Sequence, residues 1–217
     1  MVVRLFLLLV ILAAVLAPLC DARNLVKSYE IENAVYGMCS QASRSFVARD
    51  YNGAKALLQQ AAAYDPTSYS GQVHHDLASC YRSLKDYGQA IVEADLALKY
   101  EPGDESTLYT KALIYYDGNN FDQAMLTLET LLNRSSDSRW RDMARNLVKD
   151  VSVYSNLKRA SDSVACKRDS EAITYLEKAA KFDPSKYSAK IHAMESFALR
   201  RLGNASQAVK EGQKALA

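Results

Sequence analysis

The feature that most constrains this chain is an alanine that returns at a nearly fixed interval. Ala54, Ala90, Ala124, Ala172 and Ala208 are separated by 36, 34, 48 and 36 residues. An aromatic residue stands three places before the first three of them, as Tyr51, Tyr87 and Phe121; Asp169 and Ala205 take that place in the last two. A proline follows the series at Pro66, Pro102 and Pro184. Around the second alanine, Leu77, Ala78 and Tyr81 fall on one stripe of a first helix, and Ala90, Ala94 and Ala97 on one stripe of a second. Small side chains at Ala78 and Ala90 let the two helices approach closely, and Pro102 cannot continue the second one. A chain patterned this way is a row of helical pairs, each burying its apolar face against its neighbours. Five units begin near Val35, Gly71, Glu105, Val153 and Ala189.

Leu77-Ala78-x-x-Tyr81, then Tyr87-x-x-Ala90, then Ala97 and Pro102 resemble the tetratricopeptide-repeat (TPR) pattern. That resemblance implies an all-α fold: a TPR helix-turn-helix solenoid wound as a right-handed superhelix, with about five repeats in two blocks. The longest step contains an extra stretch, Ser138 to Asp150. Trp140, Ala144, Leu147 and Val151 recur there at helical spacing, and neither Pro nor Gly occurs through Cys166. The spacing predicts one helix of about 29 residues joining the blocks. The expected organisation is a leader at 1–22, block 1 at 23–137 (repeats 1–3), a linker helix at 138–152 and block 2 at 153–217 (repeats 4–5). Repeats 2 and 5 are alike in detail. Asp65-Pro66-Thr67-Ser68-Tyr69-Ser70 precedes one and Asp183-Pro184-Ser185-Lys186-Tyr187-Ser188 the other, and His74 and His192 share a register position. These two histidines occupy a place usually filled by a large core residue and read as packed side chains.

The N-terminus reads as a secretory leader. Arg4 is followed by the apolar run Leu5 to Leu16, too short for the roughly 20 residues that span a bilayer. Cys20 and Ala22 place small side chains for cleavage after Ala22. The expected destination is the ER lumen or the secretory pathway, with no membrane span after cleavage. No Lys/His-Asp-Glu-Leu tail is present, so secretion stays open beside retention. Cys39, Cys80 and Cys166 remain, an odd number, each inside a predicted helix; buried free thiols are expected. Asn133-Arg134-Ser135 and Asn204-Ala205-Ser206 are sequons in predicted loops, which makes Asn133 and Asn204 candidate glycosylation sites.

Catalysis finds no support in these residues. No G-x-S-x-G and no phosphate-cradling glycine loop occur. His75 with Asp76 and Cys80 lacks a second half at zinc-ligand spacing, so no metal and no cofactor are expected. A formal net charge of +2, with bases and acids interleaved, argues against nucleic acid as a partner. The chain is expected not to be an enzyme.

Function in a repeat array lies on its lining. If positions 4, 7, 8 and 11 of each first helix face the core, positions 2, 5, 9, 12 and 13 point away from it. In TPR proteins those positions line the concave surface. Here they supply the candidate peptide-binding residues Tyr36, Phe46, His75, Tyr109, Leu113, Tyr116, Tyr154, Leu157 and Phe197. A lining this apolar suits protein segments. TPRs that capture a C-terminal aspartate use a clamp of Lys, Asn and Arg side chains. The matching positions here carry Cys39, Ser43, Asp76, Ser106 and Thr110, which cannot hold a carboxylate in that way.

Several stretches resemble the TPR region of ER-lumenal J-domain co-chaperones. Arg141-Asp142-Met143-Ala144 through Ser161-Asp162-Ser163-Val164-Ala165 is similar to their inter-block helix. Tyr81-Arg82-Ser83-Leu84-Lys85-Asp86-Tyr87 and Leu113-Ile114-Tyr115-Tyr116 are similar to the flanking repeats. The resemblance implies a co-chaperone-like module that holds unfolded client segments. It also implies a lumenal ATP-driven chaperone as partner, reached through a J domain that is missing here or separate. These residues contain no J domain; His74-His75-Asp76 is not the His-Pro-Asp tripeptide, so stimulation of a chaperone ATPase is not carried over. The alternative is a scaffold that docks one specific folded partner.

Overall fold

The computed structural model describes residues 24–64, 67–182 and 187–216 with their side chains, and residues 2–23 as helical backbone. The expected leader and its cleavage point after Ala22 lie outside the residues described with side chains. The described residues are all-helical. The helices are α1 (Val2–Val47), α2 (Tyr51–Ala62), α3 (Ser70–Ser83), α4 (Tyr87–Tyr100) and α5 (Glu105–Asp117). They continue as α6 (Phe121–Arg134), α7 (Ser138–Ala165), α8 (Asp169–Phe182), α9 (Ser188–Arg201) and α10 (Ala205–Leu216). Each odd-numbered helix packs on the even-numbered one that follows it, which gives the five helical pairs expected from the repeat. Among the described residues no helix is long and apolar enough to cross a membrane.

The turn inside each pair has the same chemistry every time. Arg49, Lys85, Asn119, Lys167 and Gly203 all stand at position 15 of their repeats, and all have positive φ, between 59° and 79°. This left-handed residue closes the first helix. The amide after it reaches back five residues, as in Asp50 to the Ser45 carbonyl and Asp86 to the Tyr81 carbonyl, and so satisfies carbonyls that the helix end would leave bare. Only Gly203 adopts this conformation without a Cβ; the other four are held there by the hydrogen bonds around them. Position 16 then caps the second helix. Asp50, Asp86, Asn120 and Asn204 accept from the amides of Gly53, Gln89, Gln123 and Gln207. Repeat 4 has Arg168 at that place. Its neighbour Asp169 is buried and is met by the guanidinium of Arg201, with 3.2 Å between Nε and Oδ2.

Small residues bring the paired helices together. All five series alanines, Ala54 to Ala208, are buried, and so are Ala42, Ala78, Ala112 and Ala160, which stand at position 8. In repeat 5 position 8 is Ser196. Its hydroxyl donates to the Ala208 carbonyl at 2.7 Å, a direct link between positions 8 and 20. Within each unit the first helix of one pair is also seated on the second helix of the pair before it, α3 on α2 through positions 3 and 10 and α9 on α8 through position 3. Val73 and Cys80 pack with Ala54, Leu58 and Ala61, and Ile191 packs with Ala172, Leu176 and Ala179.

The chain forms two compact units, Met1–Pro102 and Gly103–Ala217. The units part at 102–103. The third pair, α5 and α6, goes with the long helix because α7 packs on α6 and touches α5. The α7 helix runs 28 residues, within one of the expected length, and starts at a cap in which Asp137 accepts from the Arg139 amide. Its buried stripe includes Ala144, Leu147, Val151, Leu157 and Ala160. It serves both as the packing partner of α6 and as the first helix of repeat 4.

Candidate functional site

In the first unit, positions 9, 12 and 13 of repeat 1 meet positions 5, 6 and 9 of repeat 2. Ser43, Phe46 and Val47 on α1 face His75, Asp76 and Ser79 on α3, with Ala42, Leu58 and Cys80 behind them. They enclose a cleft of about 260 Å³. Phe46 is fixed by an edge-on contact with Tyr51, at 5.1 Å between ring centroids, while Val47 stands largely in solvent. The walls are apolar and one end is polar. Asp76 accepts from the Gln72 amide group at 2.8 Å. Burial raises its carboxyl above the ordinary carboxylate range, against the hydrogen bond from Gln72 and the nearby His75. Burial also pushes the Cys80 thiol up to about 12, and the Asp76 charge adds to that.

The second unit repeats the arrangement. Ser161 and Val164 of α7 stand at positions 9 and 12 of repeat 4. Lys190, Ala193, Met194 and Phe197 of α9 stand at positions 2, 5, 6 and 9 of repeat 5. Together they line a cleft of about 240 Å³. The two clefts thus use one register in separate parts of the chain. Phe46, His75 and Phe197, three of the expected lining residues, are wall residues. Phe197 is 41% exposed and has the guanidinium carbons of Arg200 and Arg201 at 5.4 and 5.7 Å from its ring centroid.

The other expected lining residues are placed differently. Leu157 is a correction: it is 4% exposed and packs in the core with Val153, Ala160, Ala172 and Leu176. It stands at position 5, as His75 and Ala193 do, but in repeat 4 the side chain at this position joins the core that α7 forms with α8 and α9. Tyr116 and Tyr154 are half-buried and stack edge-on at 5.6 Å; Tyr154 stacks in turn on buried Tyr187 at 5.0 Å. The Tyr187 hydroxyl donates to Asp150 at 3.1 Å. Burial pushes the Tyr116 phenol well above its ordinary range, with Tyr187, Tyr154 and Asp150 adding to the effect. Tyr109 of α5 lies 5.9 Å from the Trp140 ring of α7, and Leu113, one turn further along α5, is half-buried. These aromatics are spent largely on each other. Tyr36 is exposed, with its ring 5.8 Å from Tyr69.

The cysteines also divide. Cys80 is buried and Cys39 half-buried, but Cys166 is exposed, because it caps the end of α7 rather than lying inside a packed face. Asn133 is exposed but belongs to the last turn of α6, not to a loop, and Ser135 of its sequon is buried with its hydroxyl on the Asp137 carbonyl. Asn204 does lie in a turn, where its side chain caps α10. His74 is packed as expected: its Nδ1 is 2.7 Å from Glu93, and its ring stacks on Tyr100. His192 is not simply packed. The fold gathers it with Glu195 and Glu211, and their ligand atoms lie within 4.8 Å of one another, a constellation that linear spacing does not display. Aligning repeats 2 and 5 would have found it, since Glu211 matches Glu93 and Glu195 stands where repeat 2 has Leu77.

Residues 47–105 and 83–147 match the tetratricopeptide repeat family. The chain carries tetratricopeptide repeats. Solved TPR structures share its fold. The TPR domain of P58(IPK) superposes with a TM-score of 0.54 at 18% identity, over 90% of this chain and 53% of that one. MamA from Desulfovibrio magneticus RS-1 gives 0.51 at 17% identity, over 86% and 95%. The first TPR of Spaghetti (RPAP3), bound to the HSP90 peptide SRMEEVD, gives 0.50 at 16% identity, over 56% and 92%. Such identities speak to the fold alone. TPR arrays present interaction surfaces rather than catalytic centres, and this chain is built as a protein-binding TPR module.

Proposed function

We propose that this chain is a co-chaperone-like module of the secretory pathway that holds apolar segments of unfolded proteins. The observation that carries the reading is the pair of clefts, one in each compact unit, at the same register positions and each with an apolar wall. Each is large enough for one or two side chains. An unfolded chain offers many such side chains, so two shallow clefts favour repeated weak capture over one large fixed interface. The RPAP3 domain with its HSP90 peptide shows that this fold can seat a short segment. The secretory assignment rests on Leu5 to Leu16 and on the small residues at Cys20 and Ala22.

Val47 and Phe197 test the reading, because both are exposed in their clefts and neither is needed to close the core. A Val47→Asp, Phe197→Asp double variant is expected to keep its helical circular dichroism. It should lose at least tenfold in affinity for a reduced, unfolded client and no longer slow that client's aggregation. Undiminished protection would refute client capture by the clefts. N-terminal sequencing of the protein from secretory compartments is expected to begin at Arg23. An intact Met1 in an alkali-resistant membrane fraction would refute the leader.

A further inference from the structure

Repeats 2 and 5 share a histidine-glutamate pair between their two helices. In repeat 2, His74 of α3 meets Glu93 of α4 at 2.7 Å. In repeat 5, His192 of α9 meets Glu211 of α10 at 2.8 Å. One carboxylate facing one imidazole is a balanced arrangement, and position 7 of repeat 2 is the buried Leu77 beside it. Repeat 5 replaces that leucine with Glu195, whose Oε2 lies 3.2 Å from the same Nδ1. His192 and Glu195 are three residues apart and therefore share one face of α9.

The added carboxylate makes His192 face two carboxylates through one nitrogen. The imidazole can give only one proton at Nδ1, and Glu195 takes that hydrogen bond. Glu211 Oε2 is inaccessible to solvent and has no hydrogen-bond partner; although it is close to Nδ1, it lies off the donor direction. Lys214 binds the other oxygen of Glu211, at 2.9 Å. A buried oxygen without a donor and two facing carboxylates are costly unless a cation joins them.

We propose that His192, Glu195 and Glu211 bind one divalent transition-metal ion, with Zn2+ the best match, in the seam between α9 and α10. One imidazole nitrogen and two carboxylate oxygens are a Zn2+-type donor set, and the imidazole disfavours Ca2+ and Mg2+. Ligands at the usual zinc distance stand about 3.3 Å from each other in a tetrahedral site. The observed Nδ1 separations of 2.8 and 3.2 Å need only small side-chain shifts. Lys214 would hold Glu211 in place from the outer shell. The ion would staple the last helical pair, where Ser196 has replaced the alanine of the other repeats.

The test uses the full chain with Cys166→Ser, so that the exposed thiol adds no background. Zinc affinity is measured by competition with a chelator, and melting is followed with and without ZnCl2, for this parent, Glu195→Leu and Glu195→Gln. The parent is expected to bind one ion and to melt higher with it. Both Glu195 variants should bind at least tenfold more weakly and gain no melting temperature from zinc. Glu195→Leu restores the residue of repeat 2; if it fails to fold, the near-isosteric Glu195→Gln carries the comparison. Absence of zinc binding in the parent, or equal affinity in the variants, overturns the site and leaves an ion-pair cluster only.

Discussion

Leu157 and Phe197 came from the same register argument, yet the structure assigns them opposite roles, and replacing each by alanine separates the two. Leu157 is 4% exposed between α7 and α8. Leu→Ala in a core costs about 2–5 kcal/mol, more where the surroundings cannot close over the cavity. Helix α7 is held by α6 along one half and by α8 along the other, so it cannot shift inwards. Leu157→Ala should therefore cost about 3–4 kcal/mol. At roughly 2–4 °C per kcal/mol for a chain of this size, that lowers the melting point by about 6–16 °C. Phe197 buries about three-fifths of its surface, and full burial of a phenylalanine is worth about 1.5–3 kcal/mol, so Phe197→Ala should cost about 1–2 kcal/mol. Trp140 is the single tryptophan and lies on α7, so its fluorescence in urea reports the second unit directly. Client affinity should move the other way: unchanged in folded Leu157→Ala and weakened in Phe197→Ala. Equal destabilisation by the two substitutions, or lost affinity in folded Leu157→Ala, would refute the division between core and cleft.

Three further outcomes follow from the same geometry. Ala90 has no accessible surface where α4 meets α3, so Ala90→Leu should destabilise by about 1–3 kcal/mol in urea titration, while Ala63→Leu, on an exposed helix end, should change little. In the native protein at pH 8, iodoacetamide should label Cys166 within the time that Cys80 stays untouched, because Cys166 is exposed and Cys80 is a buried thiol with its pKa raised to about 12; mass spectrometry of the labelled peptides decides this. The raised Asp76 carboxyl means that the native state binds that proton more tightly than the unfolded state does, so this group's contribution to stability falls as pH rises from the ordinary 3.8 through the folded value. Asp76→Asn should therefore be more stable than the parent at pH 7, with the gap closing below about pH 4 in urea titrations; a gap that widens on acidification would refute it.

The helical pairs were legible because they rest on short-range rules. Ala78 and Ala90 are small where two backbones approach, and the breaker-free run from Ser138 shows its length directly; the structure returns it as α7. The turns are as regular but carry a weaker sign in the sequence. The left-handed residue at position 15 is a glycine only at Gly203, so the usual glycine signal is absent in four repeats; the Asp or Asn caps at position 16 were the readable sign. Positions 3 and 10 were missed for another reason. The register of one helical pair does not show them, because Val73 and Ile191 are buried by the second helix of the repeat before. Leu157 differs on the same ground, since it joins a core shared with Ala172 and Leu176 of α8 and Ile191 of α9, which the periodicity of one helix does not show. The lining itself was only half legible. Phe46, His75 and Phe197 reached the clefts, while Tyr109, Tyr116 and Tyr154 met other aromatics that one helix's periodicity cannot foresee.

What the repeats hold in common and what they vary serve different ends. Positions 8 and 20 are nearly always alanine, and position 15 always turns left-handed, because helix spacing and turn closure must be met in every pair. The cleft positions obey no such demand. Position 9 is Ser43, Ser79, Ser161 or Phe197, and position 6 is Asp76 in one cleft and Met194 in the other. A carboxylate at the polar end of the first cleft and a thioether in the wall of the second present different chemistry on one frame. Position 7 shows the same logic inside a pair: Leu77 only packs, whereas Glu195 introduces a charge that packing does not require. In a repeat array the residue that breaks the pattern at a buried position is the one with a cost to explain, and a ligand that offsets that cost is the first explanation to test.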